Sequence, residues 1–183
     1  MHVNNPKGYT LVEQVIGIVV FSIALGLFTS LFAPQVIRSV DPVFQVRASE
    51  LGQSLINEIT GKSFDEASNR TGGATLCDSS SCTAWDSLGS ENDESRSNFN
   101  DVDDYNGFVM PDIDGKFTNS LGQTLTSNGS NLYQNFKVNV SIFYDANFDG
   151  INDETISNAK LITVIIITPN EQIITFSTYV SNY

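Results

Sequence analysis

The chain has 183 residues, 9 Lys+Arg against 21 Asp+Glu, a formal net charge of −12, and 40% hydrophobic against 16% charged residues. That suits one ordinary domain with an appendage, and a packed core rather than a charge-driven disordered chain. The single histidine, His2, excludes most Ser/His/Asp and Cys/His machinery and His-ligated metal. The acid excess argues against a nucleic-acid partner, whose phosphates require cations.

The charge is unevenly placed. Residues 1–64 hold four acids and four bases, whereas residues 65–154 hold sixteen acids and four bases. A short polar leader, MHVNNPKG, precedes an uncharged run of 19 residues, Val15–Ala33 (VIGIVVFSIALGLFTSLFA). As a helix this run spans about 28 Å, close to the ~30 Å hydrocarbon core. The order differs from a secretory signal: cutting after Gly8 keeps the apolar run in the mature chain. Glu13 lies two positions before the run. A carboxylate there is either an interfacial group at headgroup level or a functional acid needing a cationic partner. The latter partner would be a new α-amino group at Tyr9 of a neighbouring subunit, because a chain's own N-terminus lies too close along the same helix.

Lys7-Gly8-Tyr9-Thr10-Leu11-Val12-Glu13, followed by the apolar run, resembles the type III leader of type IV pilins and type II secretion pseudopilins. The resemblance implies prepilin peptidase cleavage after Gly8, N-methylation of Tyr9, and Glu13 as the assembly residue. Tyr9 stands where the family more commonly has Phe or Met. A narrower likeness, to the D-type minor pilins of mannose-sensitive haemagglutinin (MSHA) pili, rests on Arg38-Ser39-Val40-Asp41-Pro42, Gly61–Glu66 (GKSFDE), Asp101–Phe108 (DVDDYNGF) and the ending AKLITVIII…TFSTYVSNY. Together these imply a leader at 1–8, a transmembrane or filament-core helix at 9–34, an amphipathic helix at 35–64 and a globular α+β head at 65–183.

Val36/Ile37, Val40, Phe44, Leu51, Leu55/Ile56 and Ile59 recur mostly at three to four positions, one apolar helical stripe. Pro34 predicts a kink, and Asp41-Pro42 reads as an N-cap and first helical position where a fresh segment can begin. Residues 65–131 are rich in Gly, Ser, Asn and Asp and read as turns with short strands or helical turns. Trp85, Phe99, Tyr105, Phe108, Val109 and Phe117 are the expected anchors of this segment. Alternation at Phe136, Val138, Val140, Ile142 and Tyr144 predicts a half-buried strand. Ala159–Thr168 predicts a central strand and Gln172–Val180 a third, in an antiparallel meander. The fold class is α+β: a long helix packed on one face of an antiparallel sheet, as in pilin-like heads.

Cys77 and Cys82 form C-x4-C. In an exported domain the default is a disulfide closing CDSSSC, with free thiols as the alternative; a zinc pair lacks further ligands. Asp145-x-Asn147-x-Asp149-Gly150 matches the first half of a calcium loop, with Asp153 at the ninth position. The twelfth position is Ile156, so Asp153 or Glu154 would have to replace the bidentate ligand. The other reading is a polar hairpin tip. Asp112-x-Asp114-Gly115 reads as a turn, and Asp103-Asp104 as a solvated edge or a cap. Apart from this candidate Ca²⁺, no cofactor is expected. Acidic pairs are numerous but nothing fixes their separation, and the chain is read as a non-enzyme.

The functional expectation is a minor pilin of an MSHA-like type IV pilus, contributing to biogenesis and surface attachment. It would be an inner-membrane single-pass precursor with a periplasmic head, later placed in an extracellular pilus. Its expected partners are other pilins through their N-terminal helices, prepilin peptidase and the inner-membrane assembly platform. The alternatives are a type II secretion pseudopilin, and a membrane-anchored binding module or enzyme that never polymerises.

Overall fold

A run of helix-compatible residues from Leu11 to Thr60 forms helix α1. The computed structural model describes residues 8, 10–68, 76–91, 94–127 and 129–182, the side chains of 31–41 excepted. Lys7 and Tyr9 lie outside the described residues, as do the side chains of Val36, Ile37 and Val40. The chain forms two compact units, Met1–Val43 and Phe44–Tyr183.

The expected fresh helix at Asp41-Pro42 is not a separate element, since α1 is assigned through both Pro34 and Pro42. Each proline removes one i→i−4 donor and crowds the carbonyl of residue i−4, yet the helical assignment continues past both. The helix ends at Thr60. Gly61 N–H donates to Asn57 O at 3.1 Å and Lys62 N–H to Ile59 O at 3.0 Å.

In the second unit, strands β1 (Val109–Met110), β4 (Lys137–Tyr144), β5 (Ala159–Ile167) and β6 (Ile173–Ser181) form a four-stranded sheet in the order β1-β4-β5-β6. Strands β2 (Thr126–Ser127) and β3 (Ser130–Asn131) form a separate hairpin. All pairings in the larger sheet are antiparallel; Val140 faces Val164, and Val164 faces Phe176. This is the expected meander, with β5 central. Burial alternates along β4, where Val138, Val140, Ile142 and Tyr144 point inward.

The helical stripe meets that face. Ala48, Leu51, Leu55 and Ile59 form one core cluster with Val138, Val140, Ile142, Ile162, Val164 and Ile166, and Phe44 and Ile56 pack at its margin. Helix on one face of an antiparallel sheet is an α+β arrangement. The long polar segment contributes a 3-10 turn, Asp103–Tyr105, and several buried aromatics. Phe99, Tyr105 and Phe117 are buried, and Phe108 packs against the cluster. Trp85 and Val109, expected as anchors, are instead exposed; Val109 occupies the outward position of the two-residue β1.

Asn106 joins this segment to the sheet. Its Oδ1 accepts from Ile142 N–H at 3.0 Å while its Nδ2 donates to Leu88 O at 3.0 Å. Beneath it lies an internal charge. Lys160 is fully buried in β5, and its Nζ donates to Asp103 Oδ1 at 2.5 Å, Phe64 O at 2.8 Å and Asp65 Oδ2 at 3.2 Å. The ammonium also lies 4.4 Å from the Phe64 ring centre and 5.1 Å from that of Tyr144.

Candidate functional site

In the first unit, Leu11–Ser30 is a 20-residue helical segment of mean hydropathy 2.2, long and apolar enough to cross a membrane. None of that window is buried, and Leu11, Phe21, Leu27 and Phe28 are each more than 60% exposed. Its hydroxyl side chains are turned to the backbone. Ser22 Oγ donates to Ile18 O at 2.7 Å, Thr29 Oγ1 to Leu25 O at 3.0 Å, and Ser30 Oγ to Leu27 O at 2.9 Å. Hydroxyls satisfied in this way can sit in hydrocarbon without an orphaned donor.

Glu13 lies in the first turn, and its backbone N–H donates to Thr10 Oγ1 at 3.3 Å. The carboxylate is exposed and pairs with no cation among the described residues. Thr10 is the residue that caps the helix. The pattern Thr10-x-x-Glu13 is a capping-box signature, which gives Glu13 a local reason to occupy a helix N-terminus. Gly8 is exposed.

Cys77 and Cys82 form a disulfide with Cα atoms 5.0 Å apart. Both are buried, in a small cluster with Phe64 and Tyr144. Asp78 shapes the enclosed loop: its Oδ1 accepts from Ser80 N–H at 2.8 Å, Ser80 Oγ at 2.6 Å and Ser81 Oγ at 3.0 Å. The Ser80 hydroxyl, then its N–H, and the Ser81 hydroxyl pull the Asp78 carboxyl down to about 2. Asn182 Nδ2 donates to Cys77 O at 2.8 Å, joining the end of the sheet to this loop.

The Asp145–Glu154 connection between β4 and β5 turns its oxygens onto its own backbone. Asp145 Oδ2 accepts from Gly150 N–H at 2.8 Å and Tyr179 Oη at 2.6 Å, and its Oδ1 from Asp149 N–H at 3.1 Å. Asn147 Oδ1 also accepts from Asp149 N–H, Asp149 Oδ1 from Ile151 N–H, and Asp153 Oδ2 from Ala146 N–H. Gly150 has φ +80°, which glycine adopts without penalty. Burial raises the Asp145 carboxyl, but the Tyr179 hydroxyl and the loop N–H groups together hold it below the usual range. The backbone of Glu154 has φ +50°. Among the described residues, the carboxylates of Asp145, Asp149, Asp153 and Glu154 are in none of the groups of three acids whose oxygens lie within 4.8 Å of one another. Asp112-x-Asp114-Gly115 is the expected turn: Asp112 Oδ1 accepts from Asp114 and Lys116 N–H groups.

Convergence occurs instead near the 3-10 turn. Asp103 and Asp104 are 0% and 2% exposed, so the expected solvated edge is wrong. The capping expectation holds in part, since Asp104 Oδ2 accepts from Asn100 and Asp101 N–H groups. Burial, then the charges of Asp103 and Asp104, pushes the Asp101 carboxyl up to about 8. Burial, then the neighbouring Asp104 carboxylate, pushes Glu91 up to about 7. Asp103 is raised by burial against the opposing pull of Lys160.

Compared with known proteins, the chain matches no family model, no curated protein and no solved structure.

Proposed function

We propose that the chain is a minor pilin of an MSHA-like type IV pilus. Prepilin peptidase would cut the precursor after Gly8 and methylate Tyr9, and the assembly platform would move the subunit from the inner membrane into a fibre that serves surface attachment. The observation that carries the reading is the fully uncovered apolar segment Leu11–Ser30 joined to an acid in its first turn. Such a surface is stable in lipid or against other apolar helices, and a subunit leaving the membrane needs the second environment. In a low-dielectric bundle, Glu13 requires a cation, which a neighbour's freed amine supplies. The α+β body and the Cys77–Cys82 disulfide suit an exported head.

Two measurements test this. Mass spectrometry of the mature chain is expected to find it beginning at methylated Tyr9. A mature chain beginning downstream of Ser30 overturns the reading. Glu13→Ala and Glu13→Gln are then expected to lower the subunit's abundance in sheared fibres by about tenfold or more, the effect of an unmatched charge in a bundle. Normal fibre abundance in both variants would leave Glu13 with its capping-box role alone. Recovery of the wild-type chain only in periplasmic fractions would favour the secretion pseudopilin, and absence from any assembly would favour a simple anchor.

A further inference from the structure

Five carboxylates gather in two overlapping groups at and beside the 3-10 turn: Glu91, Glu94, Asp101, Asp103 and Asp104. One oxygen from each of Glu91, Glu94 and Asp104 lies within 4.8 Å of the others, and so does one from each of Glu91, Asp101 and Asp103. Two oxygens bound to one calcium at about 2.3–2.6 Å lie no more than about 5 Å apart. Both groups therefore meet the spacing that a single hard cation requires, and Glu91 belongs to both.

The second observation is independent of the spacing. Asp101, Asp103 and Asp104 each use one oxygen in the fold and leave the other without a partner. Asp101 Oδ1 accepts from Asp104 N–H, Asp103 Oδ1 from Lys160, and Asp104 Oδ2 from Asn100 and Asp101 N–H groups. Asp101 Oδ2, Asp103 Oδ2 and Asp104 Oδ1 are buried and unsatisfied, as is Glu94 Oε2. The three aspartates are at most 2% exposed, so bulk solvent does not reach these oxygens. Orphaned carboxylate oxygens at that depth are costly and rare in native proteins.

Neighbouring cations do not answer the charge. Lys160 reaches Asp103 but divides itself with Asp65. Lys62 Nζ donates to Phe99 O at 2.5 Å. Arg96 is held by Glu58, with Nη2 2.6 Å from Oε2, and by the Thr118 carbonyl. Among the described residues no other cation pairs with the five acids.

We propose that Glu91, Glu94, Asp101, Asp103 and Asp104 form a calcium site that completes the fold of the polar segment. Carboxylate oxygens without nitrogen or sulfur select a hard cation. Calcium tolerates an irregular shell of six to eight oxygens, whereas magnesium demands a near-octahedral one and retains its waters. The ion would bind where the chain's own cations fall short, and it would tie residues 91–94 to residues 101–104. This site is separate from the Asp145–Glu154 loop and does not depend on the pilin reading.

The test uses the full chain in detergent micelles, with calcium chloride as the probe and EDTA and magnesium chloride as comparators. Calorimetric titration is expected to show saturable binding with Kd at or below about 1 mM, the range of extracellular modules. At a hundredfold excess over Kd, calcium is expected to raise the unfolding midpoint by about 5–10 °C, and magnesium by clearly less. Asp101→Asn and Glu91→Gln are expected to weaken binding by about tenfold or more, while Asp149→Asn in the other loop retains it. Glu91 is only partly buried, so Glu91→Gln remains informative should Asp101→Asn misfold. No saturable calcium heat and no midpoint shift in the folded wild-type chain overturns the proposal. So does a calcium response that survives Glu91→Gln but disappears in Asp149→Asn.

Discussion

Phe176 on β6 lies across Gly52 of α1: a Cβ built on Gly52 would stand 2.3 Å from the Phe176 ring. Helix and sheet approach so closely here that only a hydrogen fits. Gly52→Ala gains about 1 kcal/mol of helix propensity and loses about 1–3 kcal/mol to overpacking. The expected outcome is a net loss of about 1 kcal/mol by urea unfolding. Adding Phe176→Ala to that variant is expected to remove the clash, giving a non-additive double-mutant cycle.

Lys160 is the only cation facing the buried carboxylates of Asp65 and Asp103 among the described residues. Lys160→Met preserves the length of the side chain and deletes the charge. Breaking a buried pair by removing one member costs about 3–5 kcal/mol. The urea midpoint is expected to fall accordingly, and a loss below about 1 kcal/mol would show that the two acids are satisfied without the lysine.

The Asp78 carboxyl, gathered by the Ser80 and Ser81 donors, sits at about 2 in the folded chain, below an unfolded value near 3.9. The folded state therefore binds its proton less readily than the unfolded state. The stabilising contribution is complete above about pH 4 and is lost as pH falls through about 2. An NMR titration of the Asp78 side chain is expected to give a midpoint near 2, and Ser80→Ala is expected to move it upward. A midpoint near 3.9 in the wild type would mean that the disulfide loop does not hold this geometry in solution.

Much of the sheet could be read from residue order alone. Val138, Val140, Ile142 and Tyr144 face one side because a strand has period two, and the β-branched run at 159–167 is buried because it is central. The helical stripe from Phe44 to Ile59 was legible for the same reason, with a period of 3.6. Within residues 76–131 the Cys77–Cys82 disulfide, the Asp112 turn and the buried Phe99, Tyr105 and Phe117 were legible, but the path of the chain between them was not. That path is set by buried polar contacts: Asp65 Oδ2 accepts from Thr83 N–H, Asp104 caps residues 100 and 101, and Asn106 substitutes for a strand neighbour. Hydrophobic periodicity carries no information about such contacts, and Asp103-Asp104 looks solvent-facing until its partners are seen. In the N-terminal segment, the apolar run was plain from composition, whereas the cap made by Thr10 needed the local pattern rather than hydropathy.

The partners of Lys160 are widely separated along the chain. Its bonds reach Asp103 across 57 residues and Asp65 across 95, whereas β5 and β6 are joined by a short turn in which Thr168 N–H donates to Gln172 O. Ring-closure entropy therefore weighs far more on the ion cluster than on the hairpins. The sheet can find its register while the cluster is still open, which makes the cluster the late-locking, early-opening part of the body. Amide exchange registers this order, with the proton of Thr83 expected to exchange sooner than that of Val164.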